Sequence, residues 1–212
     1  MYKNYFKRVI DIMLALILLI VFIVPCIIVA IAIKLDDGGP IFADAPKRVG
    51  QKGKLFKMMK FRSMIVNAHT IIRTDPKYKE LYEKFKSNSF KLNDDPRVTV
   101  VGRWIRKYSL DEVPQIINVL LGQMSVIGPR AYYQDELDHQ AVKYPEVRGE
   151  ISKVLAIKPG ITGLWQVSGR SEVNFDKRIL IDAKYVDKIS FFSDISILLR
   201  TPLVMISGRG AS

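Results

Sequence analysis

The sequence predicts an α+β fold, mainly helical with a few short strands, with a re-entrant membrane helix at its N-terminus and amphipathic helices on its surface. Three observations lead there. An uncharged apolar run opens the chain, apolar residues recur at helical spacing further on, and short apolar stretches alternate with Gly/Pro turns. The boundary falls near the first turn cluster, giving a membrane element over 1–36 and a domain over 37–212.

Taken in order, Ile12 to Ile33 holds no charged residue and is long enough for a helix to cross a hydrocarbon core of roughly 30 Å. No small-x-small cleavage site precedes Lys34–Leu35–Asp36–Asp37, so the segment is expected to be retained rather than removed as a signal peptide. Pro25, near its middle, removes a backbone donor; it is either a tolerated kink in a spanning helix or a membrane break that turns the helix back to the face it came from. Lys3, Lys7 and Arg8 precede the run, and Lys34, Lys47, Arg48, Lys52, Lys54, Lys57, Lys60 and Arg62 follow it. With both flanks basic, the reading is a hairpin whose two ends face the cytoplasm. Asp11 is expected to be neutralised by Lys7 and Arg8 on its own helix face.

Asp36–Pro40 ends the membrane element as a dense turn signal. Ile41–Ala43 and Leu55–Phe61 read as strands joined through Gly50–Gly53. Residues 65–86 read as helix broken at Asp75–Pro76, with Tyr78, Leu81, Tyr82 and Phe85 forming an apolar stripe among lysines, packed on the domain or laid on the membrane. Asn93–Pro96 is a turn, and Asp94–Asp95 within it reads as turn and cap rather than a metal-holding pair. Helices follow over Val101–Tyr108 and Glu112–Leu121, the second closed by Gly122. Met124–Ile127 is a strand before the Gly128–Pro129–Arg130 corner, and residues 133–155 are helical in pattern. Lys158–Gly163 is a glycine-rich loop leading to Trp165–Val167. The last helix runs from about Asp176 to Ile189, and Asp194–Ile206 is an apolar closing element that can face the membrane.

Composition narrows the chemistry. The chain has 33 basic and 21 acidic residues, a formal charge of +12; Lys3, Lys7, Arg8 and Lys34 against Asp11 account for three of these charges, leaving +9 on the remainder. Such a field attracts phosphates, whether of nucleic acid, nucleotide sugar or lipid headgroup. One cysteine, Cys26, and two distant histidines, His69 and His139, make a disulfide framework or a zinc site unexpected. No GxxxxGK[ST], GxGxxG or GxSxG pattern occurs. Two rivals to an enzyme remain: a membrane-tethered nucleic-acid binder, and a non-catalytic scaffold of an envelope-assembly complex.

Carboxylates among cations are what is left. Ser109–Leu110–Asp111–Glu112 can be a capping box, with Ser109 as cap and Glu112 three residues on; with Asp111 as cap instead, Pro114 moves into the first turn. Either way both acids sit at a helix N-terminus, where the dipole favours their charge and free N–H groups can receive phosphate oxygens. Arg103, Arg106 and Lys107 precede the pair and Arg130 follows it. A carboxylate attacking phosphorus needs such cations, and adjacent acids can hold Mg²⁺ together with substrate phosphates. Lys60 and Arg62 share one face of a strand, placed for a lipid phosphate.

The motifs Lys60–Phe61–Arg62–Ser63–Met64, Ser109–Leu110–Asp111–Glu112–Val113–Pro114–Gln115, Asn118–Val119–Leu120, Met124–Ser125–Val126–Ile127–Gly128–Pro129–Arg130 and Lys158–Pro159–Gly160–Ile161–Thr162–Gly163 occur in order over nearly the whole chain. They resemble those of the bacterial monotopic polyprenyl-phosphate phosphoglycosyl transferases, the bacterial sugar transferases that initiate glycans by hexose-1-phosphate transfer. The resemblance implies a catalytic unit without the upstream spanning helices of some relatives, and a re-entrant helix broken at the position of Pro25. It departs at Val24, where the family commonly has Ser, and at Ala131, where the family has Pro. The first departure leaves one fewer local hydrogen bond to fix the break.

The resemblance further implies Asp111 as nucleophile towards a UDP-sugar, with release of UMP, and then transfer to polyprenyl (undecaprenyl) phosphate. Glu112, with Asp111, would ligate Mg²⁺; Lys60, Arg106 and Arg130 would hold phosphates; Arg62, Gly128, Pro129, Gly160, Thr162, Gln166 and Arg170 would line the substrate site. Trp165–Arg170 is similar to the branch handling galactose or glucose. The expected setting is the bacterial inner membrane, with the catalytic domain on the cytoplasmic face, in exopolysaccharide, capsule or O-antigen assembly. The partners are then the donor, the lipid phosphate and the bilayer, without nucleic acid; a homo-oligomer stays open.

Overall fold

The computed structural model describes residues 2–87, 92, 95–168 and 174–207. Helix α1 (Lys7–Asp37) is 31 residues long, about 46 Å at 1.5 Å per residue. It is long and apolar enough to cross a membrane, and this exposed anchor associates the chain with one. The helix runs on through Pro25, which removes one internal hydrogen bond without starting a loop. Gly38 ends it in the left-handed region (φ 71°), its N–H donating to the Lys34 carbonyl.

Both ends of α1 dock on the same domain. Asp11 and Ala15 are buried near one end, Val29 and Ile33 near the other, while Ile20, Val21 and Val24 between them stay exposed. Arg8 donates to the carbonyls of Val119 and Leu120. Asp11 accepts from Ser125 Oγ and from the Val126 N–H at 3.0 Å. Lys7 lies 3.9 Å from Asp11 as its own helix face predicts, and also 2.7 Å from Asp194, whereas Arg8 is committed to the α5 carbonyls and the bonds from Ser125 and Val126 add to the neutralisation of Asp11. At the far end Asp37 pairs with Arg62.

The domain contains β1 (Arg48–Val49), β2 (Leu55–Phe56), α2 (Ala68–Thr74), α3 (Lys79–Ser87), α4 (Val100–Lys107) and α5 (Gln115–Leu120). There follow β3 (Ser125–Ile127), β4 (Tyr132–Tyr133), α6 (Gln134–Lys143), α7 (Arg148–Leu155), β5 (Gly160–Thr162), α8 (Leu164–Ser168), α9 (Phe175–Asp187) and α10 (Phe191–Ser207). Strands order as β2–β1–β4, all antiparallel, and as a parallel pair β3–β5. The stretch 55–61 expected as one strand is divided: Leu55–Phe56 pairs with β1, while Phe61 forms a separate bridge to Phe42. The helix expected over 133–155 is interrupted at Tyr144–Pro145, since a residue before proline is pushed out of the helical region. Trp165–Val167 is helical.

Three apolar clusters hold these elements. Ala15 of α1 packs with Ile116 and Val119 of α5, Val126 of β3 and Ile197 of α10. Ile151 and Val154 of α7 meet Phe175, Ile179 and Ala183 of α9, the last three at one-turn spacing on a single face. Val29 and Ile33 pack on Phe61 and Ile105 of α4. Helix α3 buries none of its residues, while α4 turns Val100 and Trp104 outward, α5 Ile117, and α10 Phe192, Leu199 and Leu203. Amphipathic surface helices are thus present around the apolar anchor.

Candidate active site

Asp111 and Glu112 lie on a single 3₁₀ turn, Leu110–Glu112, between α4 and α5. Thr99 caps α4 by accepting from the Gly102 N–H, and Gly102 lets that helix lie against the 62–64 segment. Ser109 then reverses the chain in the left-handed region (φ 55°), a strained state costing about 1 kcal/mol for a residue other than glycine. Its side chain caps nothing, so the expected capping box does not form; the Glu112 N–H is satisfied by the Ser109 carbonyl instead. Helix α5 begins only at Gln115, behind Pro114, so the acids do not sit on its N-terminus.

Their support comes from another segment. The Phe61 N–H donates to the Asp111 carbonyl at 2.9 Å, while the neighbouring backbone bonds to 41–43. Side chains alternate along this extended piece, so Phe61 enters the core beside Val29 and Ile33, and Lys60 and Arg62 turn the other way. Lys60 Nζ thereby stands 2.8 Å from Asp111 Oδ2 and 3.4 Å from Glu112 Oε1. Asp111 is almost wholly buried, whereas the Glu112 side chain is 40% exposed.

Burial pushes the Asp111 carboxyl above its ordinary value, the charge of Glu112 adds to this, and Lys60 works against both. For Glu112, burial raises while Lys60, Arg130 and Arg48 lower, and the cations prevail. Burial would depress Lys60, but the two acids outweigh it and hold the ammonium charged. The arrangement is a buried carboxylate kept beside a fixed cation, with a second, more exposed carboxylate next to it. The exposed Glu112 oxygens fit a divalent cation that draws its other ligands from phosphate and water.

The pair opens on a cleft of about 300 Å³, lined also by Arg48, Arg106, Arg130, Trp165 and Gln166. Arg130 lies 5.2 Å from the Trp165 ring centre, and its backbone N–H donates to Asp182 Oδ2 at 3.0 Å. Asp182 also accepts from the Tyr132 hydroxyl at 2.9 Å; burial pushes its pKa up to about 6, against these bonds and the nearby arginines. His69, at the cleft wall, is held down to about 4 by burial and then by Arg48, Arg73, Arg97 and Lys60, and so stays neutral.

The cleft thus unites Asp111, Glu112, Lys60, Arg106, Arg130 and Gln166, as the motifs suggested. Arg62 also borders it, but its guanidinium is committed to Asp37 and to the carbonyls of Pro40 and Met64, which makes it a clamp on the end of α1. Gly160 also borders the cleft, and with Gly128 it allows close backbone packing: a β-carbon on Gly160 would fall 2.1 Å from the Gly128 nitrogen. Pro129 is buried and accepts from the Gly160 N–H. Thr162 turns away to meet the Thr201 hydroxyl at 2.8 Å. Asp95 binds Arg97 as a turn residue, whereas Asp94 and Arg170 lie outside the described residues.

Sequence reasoning missed Arg48, Tyr133 and Asp182. The first two meet across the two-residue strands β1 and β4, too short to show an alternation, and Asp182 sits on an otherwise ordinary helix.

The sequence profile of the bacterial sugar transferase family matches residues 2–208. The UDP-galactose-lipid carrier transferase of Erwinia amylovora is 39% identical over 213 residues, 99% of this chain and 42% of that protein. The undecaprenyl-phosphate galactose phosphotransferase of Salmonella typhimurium is 40% identical over 99% of this chain and 42% of its own length. The exopolysaccharide production protein ExoY of Rhizobium meliloti is 38% identical over 97% of this chain and 87% of its own. The chain therefore spans about two-fifths of the first two relatives and most of the third.

Proposed function

The chain belongs to the bacterial sugar transferase family, and from that premise we propose that it transfers a sugar-1-phosphate from a UDP-sugar to a polyprenyl phosphate. The observation that carries the reading is the buried Asp111 held 2.8 Å from Lys60 within a cleft lined by Arg48, Arg106 and Arg130. In the first step an Asp111 carboxylate oxygen attacks the phosphorus bearing the sugar. The bond to the UMP oxygen breaks, UMP leaves, and a sugar-phosphoryl aspartate remains. A phosphate oxygen of the lipid then attacks the same phosphorus, which breaks the acyl phosphate, frees Asp111 and yields polyprenyl-diphosphate-sugar. Lys60, Arg106 and Arg130 offset the charge that builds on the phosphoryl oxygens. Glu112, with Asp111 beside it, would hold Mg²⁺, which screens the diphosphate when bound; turnover surviving exhaustive chelation would count against this.

The acceptor's headgroup must meet Asp111 without leaving the bilayer. A re-entrant α1, with the domain on the cytoplasmic face of the inner membrane, is supported by the docking of both helix ends on one domain. A tag at residue 1 reachable only from outside the cell would contradict it. The names of the relatives favour galactose as the sugar and exopolysaccharide as the product. The decisive experiment is Asp111→Asn in purified, membrane-reconstituted protein. UMP release and the sugar-phosphoryl adduct should both vanish; normal turnover by the variant would overturn the reading.

A further inference from the structure

Among the described residues, four arginine side chains are buried: Arg48, Arg62, Arg97 and Arg178. Three have a carboxylate partner, namely Asp37, Asp95 and Glu136. Arg48 forms no such ion pair. It is 8% exposed, Nη1 donates to the Ala131 carbonyl at 3.1 Å, and Nε is buried without a partner. Its guanidinium carbon lies 3.3 Å from the ring centre of Tyr133, its partner across β1–β4. A buried charge is costly unless it is paired, and one carbonyl and one ring leave much of this one unmatched. The residue also lines the cleft that holds Lys60, Glu112 and Arg130. Glu136 and Glu112 act on it without forming an ion pair, and the orphaned Nε leaves a donor for an anion brought by a ligand.

We propose that Arg48 is a phosphate-binding residue of the donor site, holding the diphosphate of the nucleoside-diphosphate sugar jointly with Arg130. This rests on the function proposed above. The two guanidinium groups lie over different rings, Tyr133 and Trp165, and a planar, ring-backed fork suits bidentate contact with phosphate oxygens. Tyr133 is then a positioning residue that sets the plane of Arg48.

The test is binding of UDP, an unreactive diphosphate, to the full chain in lipid nanodiscs, read by calorimetry and by the ligand-induced rise in Tm. Arg48→Met should weaken UDP at least tenfold and abolish most of the Tm rise, while the ligand-free Tm holds or increases because an unpaired buried cation is gone. Arg48→Lys keeps the charge but loses the fork, and should weaken UDP three- to tenfold; it also decides the matter if the methionine variant fails to fold. Tyr133→Leu should give an intermediate loss. A ligand-free Tm that falls with UDP affinity unchanged would make Arg48 structural and overturn the proposal. Failure of the wild-type protein to bind UDP would instead sink the donor-site reading itself.

Discussion

Replacing Lys60 by Met removes the cation that keeps the proposed nucleophile ionised. At 2.8 Å, in an effective dielectric of about 20, the Lys60–Asp111 attraction is about 6 kcal/mol before desolvation is counted. Burial of both groups cancels much of this, but the sign of what remains is fixed: the ammonium favours the carboxylate form of Asp111. Asp111 already titrates high because it is buried beside Glu112, so losing Lys60 raises it further. The attacking form is the carboxylate, hence the acid limb of the rate profile should move to higher pH. The assay is UMP release from about pH 5 to 9 at saturating donor and lipid phosphate. Loss of transition-state neutralisation should also lower the plateau by about a hundredfold or more. Lys60→Arg keeps the charge and should leave the limb near its wild-type position at a reduced rate. An acid limb that stays in place or moves down in Lys60→Met would refute the assignment of Lys60 as the group holding Asp111 ionised.

Two further substitutions probe the scaffold. In Gly102→Ala the new β-carbon would stand 1.9 Å from the Ser63 carbonyl oxygen, so α4 must shift from the segment carrying Lys60. Overpacking against backbone costs about 3 kcal/mol, a fall in Tm of roughly 6–12 °C for a chain of this size, and a change below about 2 °C would contradict the contact. Asp182 titrates near 6 in the fold against 3.8 as its ordinary value, so the native state holds its proton more tightly than the unfolded chain. The stability this gives is present in full below the unfolded value and is lost as pH rises through about 6, by at most roughly 3 kcal/mol. Asp182→Asn lacks the proton, so the Tm of the variant minus that of the wild type should grow from pH 4 to 7; a constant difference would argue against the shift.

Much of the helical frame was legible because its signals are local. The uncharged run marked α1, the stripe Leu81, Tyr82 and Phe85 marked α3, and Gly122 (φ 77°) marks the turn after α5. Of the strands, β2 and β3 fall inside stretches read as strands, but β1 and β4, of two residues each, were not legible, and their pairing joins Arg48 to Tyr133, far apart in sequence. The acids, Lys60, Arg106, Arg130 and Gln166 were found through motifs, but motifs do not separate contact from support. Arg62 stands in the same string as Lys60 yet clamps α1, and in the glycine-rich string Gly160 permits two backbones to touch while Thr162 turns to Thr201. The capping box failed because Ser109 takes a left-handed conformation that a pattern of residue types does not reveal.

The short segment 60–62 joins the anchor to the proposed chemistry. Phe61 packs on Val29 and Ile33 and hydrogen-bonds the Asp111 backbone, Lys60 binds the Asp111 side chain, and Arg62 grips Asp37 at the end of α1. Three consecutive residues thus fix the position of the carboxylate relative to the anchoring helix. A loop would leave that distance to fluctuate, whereas a lipid phosphate confined to the headgroup layer needs it constant. On this view the separation of roles along 60–62 is itself functional: loosening Arg62 would displace Asp111 from its acceptor without altering any group that touches the donor.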